Sequence, residues 1–371
     1  MMSLSLPKRK DKNGIIKEHH RVRCDLSGGV WLPGVNDGSC SNNRIEDTPK
    51  LNVTKVEALD LFRRMSLIRR FEERAEEAYG REKVGGFLHL YIGEEAIAVG
   101  AMAGLKPDDD VVTHYRDHGY ILARGIDPKR VMAELFGKAT GLSKGKGGSM
   151  HMADVKHHLW GGYAIVGGHI PLAVGLALAN QYQGVPRVVA CFFGEGATNI
   201  GTFFTSLNMA SLWKVPLVAI VENNHYGMGT AVERASAVHE VYLKTSAFNI
   251  PSVRIDGNDV LAVRDTVREK AEKARAGEGP QLIEAMTYRF RGHSMGDPQR
   301  YRTKEEVEAA KPHDPIALWR QFVLEKELAT DADLQKLLDE IEVEVDAAVQ
   351  FAETSPEPEP GELCADVLIE E

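Results

Sequence analysis

An acidic residue stands between two glycines directly after an apolar run of β-formers, in the stretch CFFGEGATNIG over residues 191–201. Glycines allow the backbone to approach a ligand closely, and a carboxylate can hold a cation. The stretch could therefore bind a metal ion together with a phosphate group. A turn that needs flexible residues and tolerates a charge is the other interpretation, and the residues downstream have to decide between the two.

A side-chain amide follows Glu195 at a suitable separation. Asn224 lies in VENNHYGMGT, after a segment that fits one helix and one strand. The two residues would then follow neighbouring parallel strands, whose carboxyl ends meet at the same edge of a sheet. Carboxylate and amide oxygens suit Mg²⁺, and the positive N-terminal end of the helix after Glu195 suits a diphosphate. The spacing therefore favours a metal and diphosphate site over a simple turn.

The elements that must position these residues alternate in type through the middle of the chain. The apolar segments RVVACFFG, LVAIVEN and QLIEAMTYRF are separated by helical segments. Continuously apolar strands of this kind are typical of a parallel sheet with helices on both faces. We therefore predict an α/β fold. Helical spacing also predicts a helix over residues 54–79, with Thr54 as its cap, and a charged helical part over residues 304–352.

The first part of the chain has a different character. Residues 1–50 show no helical or strand periodicity, and they carry clustered charge and loop-forming residues. We predict a flexible extension over residues 1–50 and a single α/β domain over residues 51–371, with a helical C-terminal part.

Composition argues against several classes of protein. The 371-residue chain has a formal net charge of −9, so it has no overall attraction to nucleic acid or to an anionic membrane. No apolar run approaches the length of a membrane span. The four cysteines form no CxxC pair, which argues against a disulfide framework or a zinc site. We expect a reducing compartment, the bacterial cytoplasm, with the mitochondrial matrix as the alternative.

Glycine–acid–glycine followed by Asn223-Asn224 resembles the thiamine diphosphate motif, which reads GDG and then NN. The flanking segments NMASLWKVPLVAIVENNHYGMGTAVERA and YRFRGHSMGDPQRYRTKEE look like those of one family. This is the α chain of the decarboxylating component of 2-oxo acid dehydrogenase complexes, nearest the pyruvate type and its relative, the acetoin type. The resemblance covers residues 54–368 and implies a thiamine diphosphate-binding fold.

The resemblance also implies roles for particular residues. The positions that match thiamine diphosphate contacts are Tyr115, Arg116, Ala164, Val166, Gly194, Glu195, Gly196, Ala197, Asn224, Tyr226 and His293. Of these, Glu195, Asn224 and the backbone carbonyl of Tyr226 match the ligands of Mg²⁺. His89 and His293 match active-site histidines near the reacting substrate.

The activity implied by the resemblance is decarboxylation of pyruvate with acyl transfer to a lipoyl domain of a dihydrolipoyl acyltransferase. In this family the glutamate that activates the cofactor comes from a separate β chain. The chain is therefore expected to act only with a β subunit, in an α₂β₂ heterotetramer. Acetoin cleavage is the alternative activity. Ser294 matches a phosphorylation site of animal relatives, but the second site of that loop has no serine here, which argues against kinase control.

One residue departs from the family's pattern. The acid is normally aspartate, whereas Glu195 is longer by one methylene, and Mg²⁺ demands ligand distances of about 2.0–2.1 Å. Either the site is retuned and still binds, which the intact neighbouring motifs favour, or the chain is a degenerate, non-catalytic α-type chain that holds Mg²⁺ poorly. A nicotinamide-dependent oxidoreductase is disfavoured, because GEGATNIG lacks the GxGxxG pattern.

Overall fold

The computed structural model describes residues 53–366, so the extension predicted over residues 1–50 lies outside the described range. The helices of this range are α1 (Lys55–Gly80), α2 (Glu95–Gly104), α3 (His118–Ala123), α4 (Pro128–Leu135), α5 (Ile170–Gln183), α6 (Gly201–Trp213), α7 (Val232–Ala235), α8 (Val260–Lys273), α9 (Lys304–Ala310), α10 (Pro315–Glu325) and α11 (Asp331–Thr354). The strands are β1 (Asp110–His114), β2 (Leu159–Tyr163), β3 (Val189–Gly194), β4 (Leu217–Asn223), β5 (Tyr226–Gly227), β6 (Thr230–Ala231), β7 (Ser252–Asp256) and β8 (Gln281–Met286).

Six of the strands in residues 53–366 form one sheet, in the order β2-β1-β3-β4-β8-β7, and every neighbouring pair is parallel. The short strands β5 and β6 form a separate antiparallel hairpin. The predicted α/β fold with a parallel sheet is therefore confirmed. None of the helices in the described range combines the length and the hydropathy that crossing a bilayer would require.

Helices cover both faces of this sheet, as the apolar strands predicted. Along β3, Ala190 and Phe192 pack into one core with α1, α2 and α8, while Val189, Cys191 and Phe193 pack into a second core with α5 and α6. Successive side chains of a strand point to opposite faces, so a strand that is buried on both sides has to be apolar throughout. Cys191 is thereby a core residue, and burial raises the pKa of its thiol.

The unit β3-α6-β4 has the geometry that the sequence predicted. β3 and β4 pair in parallel without a register shift from Val189 opposite Leu217 to Gly194 opposite Glu222. Both strands therefore end at the same edge of the sheet, and the residues that follow them emerge side by side.

Some sheet boundaries differ from the prediction. The edge strands β2 and β7 were not predicted, since β2 contains Gly161-Gly162 and β7 carries charged residues between its apolar ones. The segment QLIEAMTYRF ends as a strand at Met286, because both neighbours end opposite that residue: Asn223 in β4 and Asp256 in β7. The predicted cap of α1 is confirmed, since Thr54 Oγ1 accepts a hydrogen bond from the Glu57 N–H at 3.2 Å.

Close packing of α2 on α8 gives a test of this core. A Cβ atom added at Gly100 would lie 2.7 Å from the Val260 carbonyl oxygen and 2.8 Å from Val263 Cβ. Gly100→Ala is therefore expected to lower the free energy of unfolding by about 1–3 kcal/mol, because backbone and a β-branched side chain must move. Urea unfolding measures this change.

Gly80→Ala is the matched control, because a Cβ atom at this helical glycine meets no atom within 4 Å. It is expected to be neutral or to stabilise by up to about 1 kcal/mol. Equal effects of the two substitutions would contradict the packing described for α2.

Candidate active site

Glu195 lies at the point where β3 gives way to α6. Gly194 ends the strand, Glu195–Asn199 form a 3₁₀ turn, and the helix begins at Gly201. The Glu195 side chain is only 4% exposed, and its Oε1 has no hydrogen-bond partner among the described residues. Burial raises the pKa of this carboxyl to about 7, against the opposing attraction of Arg289. Backbone N–H groups of Glu195 and Asn224 also oppose the shift, but no lysine or arginine side chain within residues 53–366 forms an ion pair with this carboxyl.

Asn224 follows β4 directly and is buried beside the short hairpin of β5 and β6. Its Nδ2 donates to Glu94 Oε1 at 2.9 Å, and its Oδ1 accepts the Tyr226 N–H at 3.3 Å. The Tyr226 hydroxyl donates to Glu306 Oε1 at 2.8 Å, which ties that side chain to α9. Only the backbone of Tyr226 can therefore contribute a ligand atom to the site.

The turn that carries Glu195 and this hairpin approach each other most closely at two glycines, Gly196 and Gly227. A Cβ atom added at Gly227 would lie 3.6 Å from Glu195 Oε1 and 3.5 Å from Gly196 Cα. The turn after β3 and the hairpin after β4 are therefore in contact, as the strand order predicted. A side chain at Gly196 or Gly227 would fill this junction.

These residues fit a hard cation. The unpaired Glu195 oxygen, the Asn224 amide oxygen and the hairpin backbone are the oxygen donors that Mg²⁺ prefers. Within residues 53–366 no group of three or more His, Cys, Asp and Glu side chains is arranged to hold a metal ion. A cation here would therefore depend on amide and backbone oxygens, and ligation of Mg²⁺ by Glu195, Asn224 and Tyr226 stays a prediction.

Arg116 is buried just beyond β1 and holds two backbone segments. Its guanidinium donates to the Leu90 carbonyl at 2.7 Å and to the His293 carbonyl at 2.9 Å. Its Nε lies 3.6 Å from Glu94 Oε2. An arginine has five N–H donors, so those that remain can still serve the diphosphate contact predicted for it.

His89, Tyr115 and His293 form one aromatic cluster beside Arg116. The centroids of the two imidazoles are 5.2 Å apart, and Tyr115 lies 4.7 Å from His89 and 5.5 Å from His293. Burial, aided by the charge of Arg116, lowers the pKa of His89 to about 2 and that of His293 to about 3. Both histidines are therefore neutral near pH 7, and neither Nδ1 has a hydrogen-bond partner among the described residues.

Asp297 fixes the loop that carries His293. Its Oδ2 accepts the His293 N–H at 2.7 Å and the Tyr301 hydroxyl at 2.8 Å, while its Oδ1 accepts the Gln299 N–H at 2.9 Å. These hydrogen bonds lower the pKa of Asp297, although burial opposes them. Ser294 is half-buried in the same loop. One carboxylate thus orders the segment from His293 to Tyr301.

Ala164 and Val166 lie in the loop between β2 and α5, where Val166 is 46% exposed. This loop abuts the start of α6. A Cβ atom added at Gly167 would lie 2.2 Å from Ile200 Cδ1, and Thr202 Oγ1 donates to the Gly167 carbonyl at 3.1 Å. The loop that carries Ala164 and Val166 is therefore held against the N-terminal end of α6. This end of the helix follows the turn that contains Gly196 and Ala197.

Two buried acids were missed as neighbours of the site. Glu94 directly precedes α2, and its side chain reaches Asn224. Glu222 interrupts the apolar strand β4 and accepts hydrogen bonds from the Tyr91 hydroxyl and, at 2.7 Å, from His114 Nε2. An acid within an apolar run was the available signal for both, since a buried carboxylate needs partners.

Comparison with known proteins decides the family. The family model described as "Dehydrogenase E1 component" matches residues 63–361. The chain belongs to the dehydrogenase E1 component family. This membership confirms the resemblance found in the sequence, since the match takes in both strand ends, the His293 loop and most of the C-terminal helices.

Curated relatives align over most of their own length. The chain is 47% identical over 317 residues to the pyruvate dehydrogenase E1 component subunit alpha of Rhizobium meliloti, covering 85% of this chain and 91% of that protein. It is 46% identical to the protein of the same name in Zymomonas mobilis, covering 86% and 91%. It is 43% identical to that of Rickettsia felis, covering 86% and 98%.

Glu195→Gln is expected to change how stability depends on pH. The pKa of Glu195 is about 7 in the folded chain and 4.5 in its ordinary state, so the folded chain keeps a proton that the unfolded chain releases. The free energy of unfolding therefore contains a component that falls as pH rises from 4.5 to 7. Glutamine lacks this component. The free energy of unfolding of the variant, relative to that of the native chain, should therefore rise by up to about 3 kcal/mol between pH 4.5 and 8.

Urea unfolding of cation-free protein at both pH values measures this difference. Glu359→Gln, at an exposed position, is the control and should leave the pH dependence of stability unchanged. If the native chain and Glu195→Gln lose stability in parallel with rising pH, the inference that burial raises the pKa of Glu195 is wrong.

Proposed function

We propose that this chain is the α subunit of a pyruvate dehydrogenase (acetyl-transferring) E1 component. Its reaction would be the thiamine diphosphate-dependent decarboxylation of pyruvate, with acyl transfer to lipoyl groups. The observation that carries the proposal is the buried, unpaired Glu195 carboxylate beside Asn224 at the edge of the parallel sheet, in a member of the E1 family. The names of the relatives in Rhizobium meliloti and Zymomonas mobilis support pyruvate as the substrate.

The residues that would hold the cofactor come from several loops at one sheet edge. Glu195, Asn224 and the Tyr226 carbonyl would bind Mg²⁺, while Gly194, Gly196 and Ala197 would let the backbone reach the diphosphate. Tyr115 and Arg116 would contact the diphosphate, and Ala164 and Val166 would face the rings. When bound, thiamine diphosphate supplies the electron sink that lets a 2-oxo acid lose CO₂.

His89 and His293 would act on the reacting substrate. A neutral imidazole carries a proton on one ring nitrogen and a lone pair on the other, so it can donate or accept a hydrogen bond. The low pKa values keep both rings neutral at pH 7, and each Nδ1 lacks a partner in the described range. These atoms would orient the carboxylate and oxygen atoms of the substrate and pass protons to and from them.

A β subunit would complete the site in an α₂β₂ heterotetramer. Support comes from apolar side chains that α5, α6 and the preceding loop expose on one side of the sheet: Ile165 at 75%, Leu172 at 51%, Phe204 at 40%, Met209 at 41%, Leu212 at 73% and Trp213 at 39%. Exposed apolar surface of this extent is typical of a protein interface. A lipoyl domain of a dihydrolipoyl acyltransferase would accept the acyl group, and the bacterial relatives favour the cytoplasm as the location.

Cofactor binding separates an active α subunit from a degenerate one. We expect calorimetry with thiamine diphosphate and Mg²⁺ to give tight binding to the chain co-expressed with its β partner. Glu195→Asp should also bind thiamine diphosphate with Mg²⁺, because aspartate keeps a carboxylate ligand. Glu195→Ala should weaken binding by more than about tenfold, a loss that even an outer-shell partner can cause. Absence of binding by the native complex, with binding restored by aspartate, would instead mark a lost site.

His293→Ala and His89→Ala test the roles of the histidines. Each is expected to lower kcat/KM of the complex for pyruvate by about 10²–10⁴-fold, the usual contribution of a positioned proton donor or acceptor. Pyruvate-dependent reduction of an electron acceptor measures this loss. His239→Ala is the control, because His239 is exposed, and it should keep native activity. Turnover of acetoin instead of pyruvate would identify the acetoin type.

A further inference from the structure

Glu94 lies between the two groups of site residues. It precedes α2, it is 1% exposed, and its Oε1 accepts the hydrogen bond from Asn224 Nδ2 at 2.9 Å. Its Oε2 has no hydrogen-bond partner among the described residues and lies 3.6 Å from Arg116 Nε. One buried carboxylate therefore touches both a predicted cation ligand and the arginine that holds the His293 carbonyl.

The contact with Glu94 determines which way the Asn224 amide points. A backbone N–H can only donate, so the atom that faces the Tyr226 N–H must be Oδ1, which leaves Nδ2 to face Glu94 and donate to its carboxyl oxygen. The backbone contact is the longer of the two, at 3.3 Å. Without Glu94 the amide can turn over and present a donor where a cation needs an oxygen.

The backbone that carries Glu94 is rigid. The preceding residue, Gly93, has φ +106, and a Cβ atom there would lie 2.4 Å from the Tyr288 carbonyl oxygen. The Phe290 N–H donates to the Ile92 carbonyl at 3.1 Å, and the Ile97 N–H donates to the Glu94 carbonyl at 3.0 Å. The start of α2 is thus fixed against the segment after β8, and a group that orients a ligand has to be fixed in this way.

The next residue in the chain is also a buried acid, but it has a different environment. Glu95 accepts hydrogen bonds from Arg69 and, at 3.0 Å, from the Gly93 N–H. Arg69 in turn pairs with Asp314 at 2.8 Å, at the start of α10. Glu95 therefore joins helices, whereas Glu94 joins the two parts of the site, and the pair provides its own comparison.

We propose that Glu94 is a positioning residue that holds the Asn224 side-chain oxygen toward the bound cation by accepting from Nδ2. The inference rests on the proposed function, because the cation belongs to it. A hydrogen bond from an outer-shell group commonly orients a metal ligand in this way, and its loss typically weakens metal affinity by about 10–100-fold.

Manganese is the probe for this role, because Mn²⁺ accepts the same oxygen ligands and gives an electron paramagnetic resonance signal. The chain is co-expressed with its β partner, and Mn²⁺ is titrated in the presence of thiamine diphosphate. We expect Glu94→Ala to raise the Kd for Mn²⁺ by about 10–100-fold. Glu94→Gln should stay close to the native Kd and signal, because its amide oxygen can still accept from Asn224. Glu95→Ala, the matched control, should lower the thermal midpoint and leave the Kd unchanged.

Each of the remaining outcomes contradicts one particular statement. If Glu94→Ala binds Mn²⁺ as the native complex does, Glu94 does not position Asn224, and the proposed function stands. If Glu94→Gln loses affinity as severely as Glu94→Ala, the charge rather than the hydrogen bond matters, and the positioning role is wrong. If the native complex binds no Mn²⁺, the cation site of the proposed function is wrong. The inference about Glu94 is then wrong as well, because it depends on that site. Should Glu94→Ala not fold, Glu94→Leu, which fills the buried space but offers no acceptor to Asn224, replaces it with the same expected rise in Kd.

Discussion

The parallel pairing of β3 with β4 is the constraint on which the rest of the site depends. Because the two strands run in register until Gly194 lies opposite Glu222, the residues that follow them leave the sheet together. Glu195 and Asn224 are far apart in sequence, yet no special loop has to bring them near each other. Helices on both faces keep the strands dry, so the polar residues that chemistry needs are confined to the strand ends.

Burial of Glu195 without an opposite charge in contact costs free energy in the isolated chain. A charged group taken out of water either finds an opposite charge or becomes neutral, and the pKa of about 7 places this carboxyl between the two outcomes. A structural acid would be paired, as Asp109 is with Arg275 at 2.8 Å. Where local rules are broken in this way, a functional cause is the usual reason, and a bound divalent cation would supply the missing charge.

Much of this arrangement could be predicted from the sequence, because its signals are local. Apolar runs gave β3 and β4 almost to the residue, and the strand–helix–strand rule then placed Glu195 beside Asn224. The contact between Glu94 and Asn224 joins residues 130 positions apart, and no periodicity or spacing encodes it. Edge strands were missed for a related reason: β2 contains two glycines in five residues, so its pairing comes from the neighbouring strand rather than from its own propensity.

Arg116 shows why the parts of such a site cannot be assigned one role each. Its guanidinium holds the Leu90 and His293 carbonyls and faces Glu94, so the same group fixes a loop, holds the backbone of a predicted active-site histidine and balances a buried acid. Its charge also contributes to the low pKa values of both His89 and His293. Removing it would therefore alter the proposed diphosphate contact, the proposed proton transfer and the position of the loop together. Kinetics of such a variant would therefore report the coupling of the site. Glu94 contacts both Asn224 and Arg116, and Glu94→Gln separates these two contacts, because glutamine keeps an acceptor for Asn224 and removes the charge that faces Arg116.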